Sequence, residues 1–291
     1  MTARVPAPPR PAPRIPTRPS GGHGPEPHGP EPHLAGHGAE RSSPHLQTRR
    51  HESKPAVPAG RSLVLLAHGS GHPEGRAVAE AITRQVSRRL GSHGARVTLG
   101  FLREMTPSAA QALEGSTDPV VLPLFLGRGY HVRVDIPREL SDHGSGQIVP
   151  HLGSSPRLVP VLCDRLDQAG AATCDAIVLA AAGSSDPGAR QEVVDLARAL
   201  EARLGRTVEP GYLSAASPRV VDAVSLLRSR GHRRVAVSSL LLSDGVFQQA
   251  LGAAGADVVT APLGAHPEVV EAVVEGYRAA AVLTGSRPPE G

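Results

Sequence analysis

The chain repeats itself, and the repeat restricts it to an architecture that can be built twice. Leu63-Val64-Leu65-Leu66-Ala67-His68-Gly69-Ser70 returns as Ile177-Val178-Leu179-Ala180-Ala181-Ala182-Gly183-Ser184, and the stretch from Leu124 to His131 returns as Leu240 to Phe247. Shorter echoes keep the same order: Leu90-Gly91 with Leu204-Gly205, Gly100-Phe101-Leu102 with Gly211-Tyr212-Leu213, Thr106-Pro107 with Ser217-Pro218, and His151 to Pro156 with Pro262 to Pro267. Two positions break the likeness. His68 is answered by Ala182, and His131 by Phe247. A histidine that served packing alone would have little reason to vanish at both echoes, so the pair reads as a site kept in one copy.

Local patterning supplies the elements. Leu63–Ala67 is a short apolar run closed by glycine, as expected of a buried strand. From Glu74 to Leu90 the spacing of Ala77, Ala81, Ile82, Val86 and Leu90 predicts a helix stopped by Gly91. Arg96–Leu102 predicts a second strand, and Val120–Leu126 a third. Between them Pro107–Glu114 predicts a helix with Thr106 as its cap and proline in its first position. Strand and helix alternate, which indicates a parallel sheet with crossover helices and a ligand site at the carboxyl ends of the strands. The expected class is α/β, with two tandem domains near 61–165 and 174–284, each a parallel sheet flanked by helices. A joining segment around Asp164 to Thr173 would leave a cleft between them.

Composition narrows the function classes. The first 60 residues hold 14 of the 29 prolines and six histidines (His23, His28, His33, His37, His45, His51), with no periodicity able to bury a face. They are expected to form a disordered Pro/His/Arg-rich tail. This segment also carries eight Lys and Arg against four Glu, the whole of the +4 formal surplus. From Arg61 onward the charges balance, and aromatics are only 2% of the chain, which argues against a nucleic-acid partner. No apolar run is long enough for a membrane span and no hydrophobic signal core opens the chain. Cys163 and Cys174 stand apart without a C-x-x-C, in keeping with a reducing cytoplasm.

His68 and His131 each follow an apolar run, so the carboxyl-edge rule predicts that they meet. Neutral imidazole serves equally as metal ligand and as base. Around these two residues the segments LLAHGS (Leu65–Ser70), FLREMTPS (Phe101–Ser108) and PLFLGRGYHVRVDIP (Pro123–Pro137) resemble the sirohydrochlorin chelatases, class II enzymes that insert a divalent metal into sirohydrochlorin. The resemblance covers about residues 61–284. It implies two chelatase-like domains around an active-site cleft, with His68 and His131 as the metal-binding or proton-abstracting pair. The second domain would be a degenerate repeat, in which changes at Ala182 or Phe247 should affect only stability.

One departure stands out. Where the family places a carboxylate directly after the Phe-Leu of the second strand this chain has Arg103, and Glu104 comes one residue later. In a strand that slip points Glu104 to the other face, unless a bulge or loop restores it as a third metal ligand.

The implied substrate bears eight carboxylates, so Arg76, Arg103, Arg128, Arg133 and Arg138, all in or beside the motifs, are candidate carboxylate partners. Ser70, between Gly69 and Gly71, belongs to a turn that can present backbone N–H groups to an anion. The chain lacks G-x-x-x-x-G-K-[ST], so no nucleotide is expected and chelation should proceed without ATP. Fe2+, Co2+ and Ni2+ all accept imidazole, so ligand type does not choose among them, nor between sirohaem and cobalamin as destination. The expected enzyme is a lyase, a sirohydrochlorin ferrochelatase or cobaltochelatase, cytoplasmic, as monomer or homodimer. The other reading is a non-catalytic tetrapyrrole or metal carrier. A hydrolase built on Ser70 has no G-x-S-x-G elbow to support it.

Overall fold

The computed structural model describes residues 61–69, 72–91 and 94–285, so the expected tail (1–60) and Ser70 lie outside the described residues. Strand β1 (Leu63–Ala67) leads into helix α1 (Pro73–Gly91), β2 (Val97–Phe101), α2 (Ala109–Leu113), β3 (Val120–Pro123), α3 (Ile136–His143), β4 (Gln147–Ile148) and α4 (Leu158–Gln168). The order then recurs: β5 (Ala176–Ala181), α5 (Pro187–Leu204), β6 (Thr207–Tyr212), α6 (Val220–Ser229), β7 (Val235–Leu240), α7 (Val246–Leu251), β8 (Val258–Val259) and α8 (Pro267–Gly285). The strands form two parallel four-stranded sheets, β2-β1-β3-β4 and β6-β5-β7-β8. β1 lies between β2 and β3, with Leu66 opposite both Gly100 and Pro123, so strands distant in sequence end side by side.

The alternation of side chains along each central strand divides the core. Leu63 and Leu65 of β1 and Ile177 and Leu179 of β5 face one continuous cluster shared by the two halves. Val64 and Leu66 turn the other way onto Ala109, Ala112 and Leu113 of α2, while Ala176, Val178 and Ala180 meet Val220, Ala223, Val224 and Leu227 of α6. Both faces of each sheet are thus dry, as parallel sheets require. α1 closes its side with Ala79, Ile82, Val86 and Leu90, one stripe at helical spacing.

The last helix of each half is exchanged. α4 packs on α5 and β7 of the second half, and α8 returns to pack on α1 and β3 of the first. Tyr277 of α8 donates its hydroxyl hydrogen to the Arg61 carbonyl at 2.6 Å, and Arg157 pairs with Glu268 and Glu275 of α8. The segment expected to join two domains is accordingly structured, with Asp164–Gln168 finishing α4 and Ala171–Thr173 forming a single 3-10 turn.

Two local expectations are corrected. The cap of α2 is Ser108, whose side chain accepts the Gln111 N–H while Gln111 accepts the Ser108 N–H. This capping box starts the helix at Ala109, so Thr106 and Pro107 stand ahead of it. β3 stops at Pro123, three residues short of the expected end, because Gly127 and Gly129 open the loop that leads to His131.

The glycine after each central strand is a backbone requirement. Gly69 and Gly183 adopt φ of 80° and 96°, and a Cβ on Gly183 would lie 1.9 Å from the Ser214 carbonyl oxygen. Gly183→Ala is expected to cost about 2 kcal/mol or more from strain and collision. Thermal denaturation checks it, with a midpoint roughly 4–8 °C lower expected and an unchanged one refuting the claim.

Candidate active site

His68 follows β1 directly, and the turn at Gly69 carries the chain away behind it. His131 does not sit at a strand end as the sequence suggested. It opens a π-helical turn, His131–Asp135, that runs into α3. The neighbouring positions of β1 and β3 nevertheless bring the two imidazoles together, with ring centroids 4.7 Å apart and planes at 73°. Phe125 stands against both, 6.5 Å from His68 and 5.8 Å from His131, and limits how far either ring can turn away.

Asp135 explains which nitrogen His131 offers. Its carboxylate lies 2.5 Å from His131 Nδ1. A carboxylate can only accept, so Nδ1 carries a proton and Nε2 is the nitrogen left to face an incoming ion. Nothing in the sequence pattern alone marks Asp135 for this role.

For His68, partial burial at the strand end is the largest influence and lowers its pKa below the usual 6.5; His131 and Arg103 lower it further, and Asp135 opposes them. His68 therefore stays neutral, able to bind an ion or accept a proton. As pH falls through 6.5 the unfolded chain takes up this proton before the folded one does, so the contribution of His68 is full above that value and erodes on acidification. Metal uptake should persist to lower pH than free imidazole allows. A Co2+ titration across pH 5–8 checks it, and loss of binding already above the ordinary imidazole range would contradict it.

The pair opens onto a cleft of about 620 Å³ between the halves, within the size range of small-molecule sites. Most of its lining is apolar: Leu124, Phe125 and Leu126 from the first half, Ala181, Ala182, Val193 and Leu240 to Leu242 from the second, with Val246 and Phe247. Ala182 and Phe247, expected to matter only for stability, both form part of this wall. His72, at the start of α1, also lines the cleft, with its Nδ1 buried and unpartnered. Arg190 is a further lining residue that the sequence did not single out, its guanidinium held by the carbonyls of Ser184 (3.2 Å) and Ser185 (2.9 Å).

The other expected residues are placed as follows. Glu104 is exposed in the turn after β2, and among the described residues no three His, Cys, Asp or Glu side chains group together as a ready metal site. Arg103 is exposed in the same turn and acts on His68 through its charge. Arg76 binds Glu80 at 2.8 Å and lies over the Phe101 ring, and Arg138 pairs loosely with Asp142.

Arg128, through its main chain, and Arg133, through its guanidinium, also touch the second half. The Arg128 N–H donates to Glu192 of α5 at 3.3 Å, and Glu192 also meets the buried His151 at 3.2 Å. Arg133, two residues after His131, pairs with Asp186, the N-cap of α5. The backbone N–H of Ala189, together with Arg133, holds the Asp186 carboxyl below the usual carboxylate range. The turn that carries His131 is thus braced by the half that lacks the imidazoles.

Comparison with known proteins agrees with this geometry. Sirohydrochlorin ferrochelatase of Priestia megaterium is 25% identical over 200 residues, covering 64% of this chain and 74% of that protein. Sirohydrochlorin cobaltochelatase of Methanothermobacter thermautotrophicus is 29% identical over 133 residues, 37% of this chain and 91% of that protein. Among solved structures, SirB from Bacillus subtilis with Fe3+ superposes with a TM-score of 0.69 at 21% identity, over 78% of this chain and 98% of its own. CbiX of denitrifying bacteria, described as the terminal enzyme for biosynthesis of siroheme, gives 0.58 at 23% identity, over 76% and 99%. At such identities the likeness is one of fold. The family model of CbiX matches twice, over residues 62–169 and 176–280, once for each sheet and its helices. A chain matched over both halves, with the imidazole pair at the mouth of its cleft, belongs to the CbiX family.

Proposed function

We propose that the protein is a sirohydrochlorin chelatase that inserts Fe2+ or Co2+, with Ni2+ chemically acceptable to the same ligands, into sirohydrochlorin on the way to sirohaem or a cobalamin-type product. The observation that carries this reading is the His68–His131 pair, 4.7 Å apart on an open cleft in a CbiX-family chain. The ion is cargo and must leave. Two neutral nitrogens hold it loosely and leave most of its coordination sphere to water and then to the four ring nitrogens, whereas a closed four-ligand site would retain it. Entry of the metal expels two pyrrole protons. A histidine not engaged with the ion accepts one, most readily His68, whose neutral form is favoured; the second passes to water. No step calls for ATP.

In this reading residues 61–165 carry the chemistry and 174–284 form the degenerate repeat, while the exposed Arg103 and Arg128 are candidate partners for substrate carboxylates. Both a monomer and a homodimer are compatible with this cleft. Both cysteines are free, and among the described residues no helix is long and apolar enough to cross a membrane. We place the reaction in the cytoplasm. Mixing the purified protein with sirohydrochlorin and Fe2+ or Co2+ tests the reading. An enzyme gives many equivalents of metallated product, and a carrier stops at one.

A further inference from the structure

We propose that the second half is the macrocycle-binding wall, with Phe247, Val246 and Ala182 forming an apolar platform on which the tetrapyrrole ring lies while His68 and His131 present the ion. This rests on the chelatase reading above and assigns the ring, as distinct from the ion, to its own residues. The two walls of the cleft are built from corresponding positions. Where the first half offers imidazole, the second offers methyl and phenyl, and all four side chains line the same cavity. Val246 and Phe247 are 75% and 42% exposed, which is costly for large apolar side chains unless a ligand covers them.

Their exposure is enforced. Gln248, the next residue of α7, is bolted into the sheet: its Nε2 donates to the Thr260 carbonyl at 2.8 Å and its Oε1 accepts the Ser239 hydroxyl at 2.6 Å. The Ser239 N–H in turn donates to Thr260 Oγ1 at 2.9 Å. Ser239 and Thr260 are essentially inaccessible, and Leu251 is fully buried at the end of the helix. With residues 248 and 251 pinned inward, residues 246 and 247 must face the cleft. The bolt belongs to the second half only, since the corresponding first-half positions are Pro123, Val132 and Val149. A buried polar network is kept where it fixes one geometry, and here it holds Phe247 rigidly. An aromatic side chain on a fixed support suits the flat face of a conjugated macrocycle, and the small Ala182 beside it leaves the ring room to lie close.

Absorbance titration of metal-free sirohydrochlorin into wild type, Phe247→Ala and Phe247→Trp, alongside Co2+ titration of each, tests the assignment. Phe247→Ala should weaken macrocycle binding roughly tenfold while Phe247→Trp retains it, and Co2+ affinity should stay unchanged in both. Gln248→Ala, which frees the helix without removing the ring, should weaken macrocycle binding in the same direction. The platform is overturned if Phe247→Ala binds the macrocycle as wild type does, or if its Co2+ affinity falls in parallel. Wild type that binds no tetrapyrrole would overturn the chelatase reading as well, whereas normal wild-type binding unaffected by Phe247→Ala removes the platform alone.

Discussion

His68→Ala and His131→Ala each lower the rate of metal insertion by roughly 100-fold or more, because either change removes half of the nitrogen donors and, for His68, the favoured proton acceptor. Neither residue supports the core. Both rings lie at the cleft, beyond the last strand residues, so the folded state should lose no more than about 1 kcal/mol in either variant. The signature is therefore a large loss of turnover at nearly unchanged thermal midpoint. A carrier would show the same pair of substitutions as lost Co2+ binding with no catalytic phase to lose. Single-turnover absorbance measurements with sirohydrochlorin and Co2+ decide the matter, and turnover close to wild type in both variants would remove the mechanism.

Asp135→Asn should reduce insertion by about 10- to 100-fold although the residue touches neither ion nor ring. The carboxylate at 2.5 Å fixes the proton on His131 Nδ1. An amide placed there can offer its N–H instead, which favours the opposite tautomer and turns a proton rather than a lone pair toward the incoming cation. The loss should appear as weaker Co2+ binding, with macrocycle binding unaltered, since Phe247 and its neighbours lie on the other wall. Asp135→Glu, which keeps an acceptor, should recover part of the activity. Equal Co2+ affinity for Asp135→Asn and wild type would show that the tautomer is set by something else.

Much of this was legible in the residues. The repeat, the buried strand at Leu63–Ala67, the helix that follows and the meeting of His68 and His131 all rest on short-range pattern, and the two parallel sheets appeared as expected. What the pattern missed lies in contacts between distant segments. The stretch from His131 to Asp135 was read as the aftermath of a strand, so the i, i+4 relation that helical winding gives Asp135 went unused. Arg133 was a candidate for its place in the motif; its pairing with Asp186, 53 residues away, has no short-range signal. Glu104, one residue late in the pattern, is exposed in the turn after β2. The apolar wall was hidden for a different reason: Ala182 and Phe247 read in sequence only as missing histidines, whereas the structure places both on the cleft.

The exchange of α4 and α8 bears on how such a molecule can change over time. Each sheet is roofed by a helix encoded in the other copy, so neither copy can be discarded without uncovering the one that remains. Removing either half would therefore leave an apolar sheet face of the other open to water.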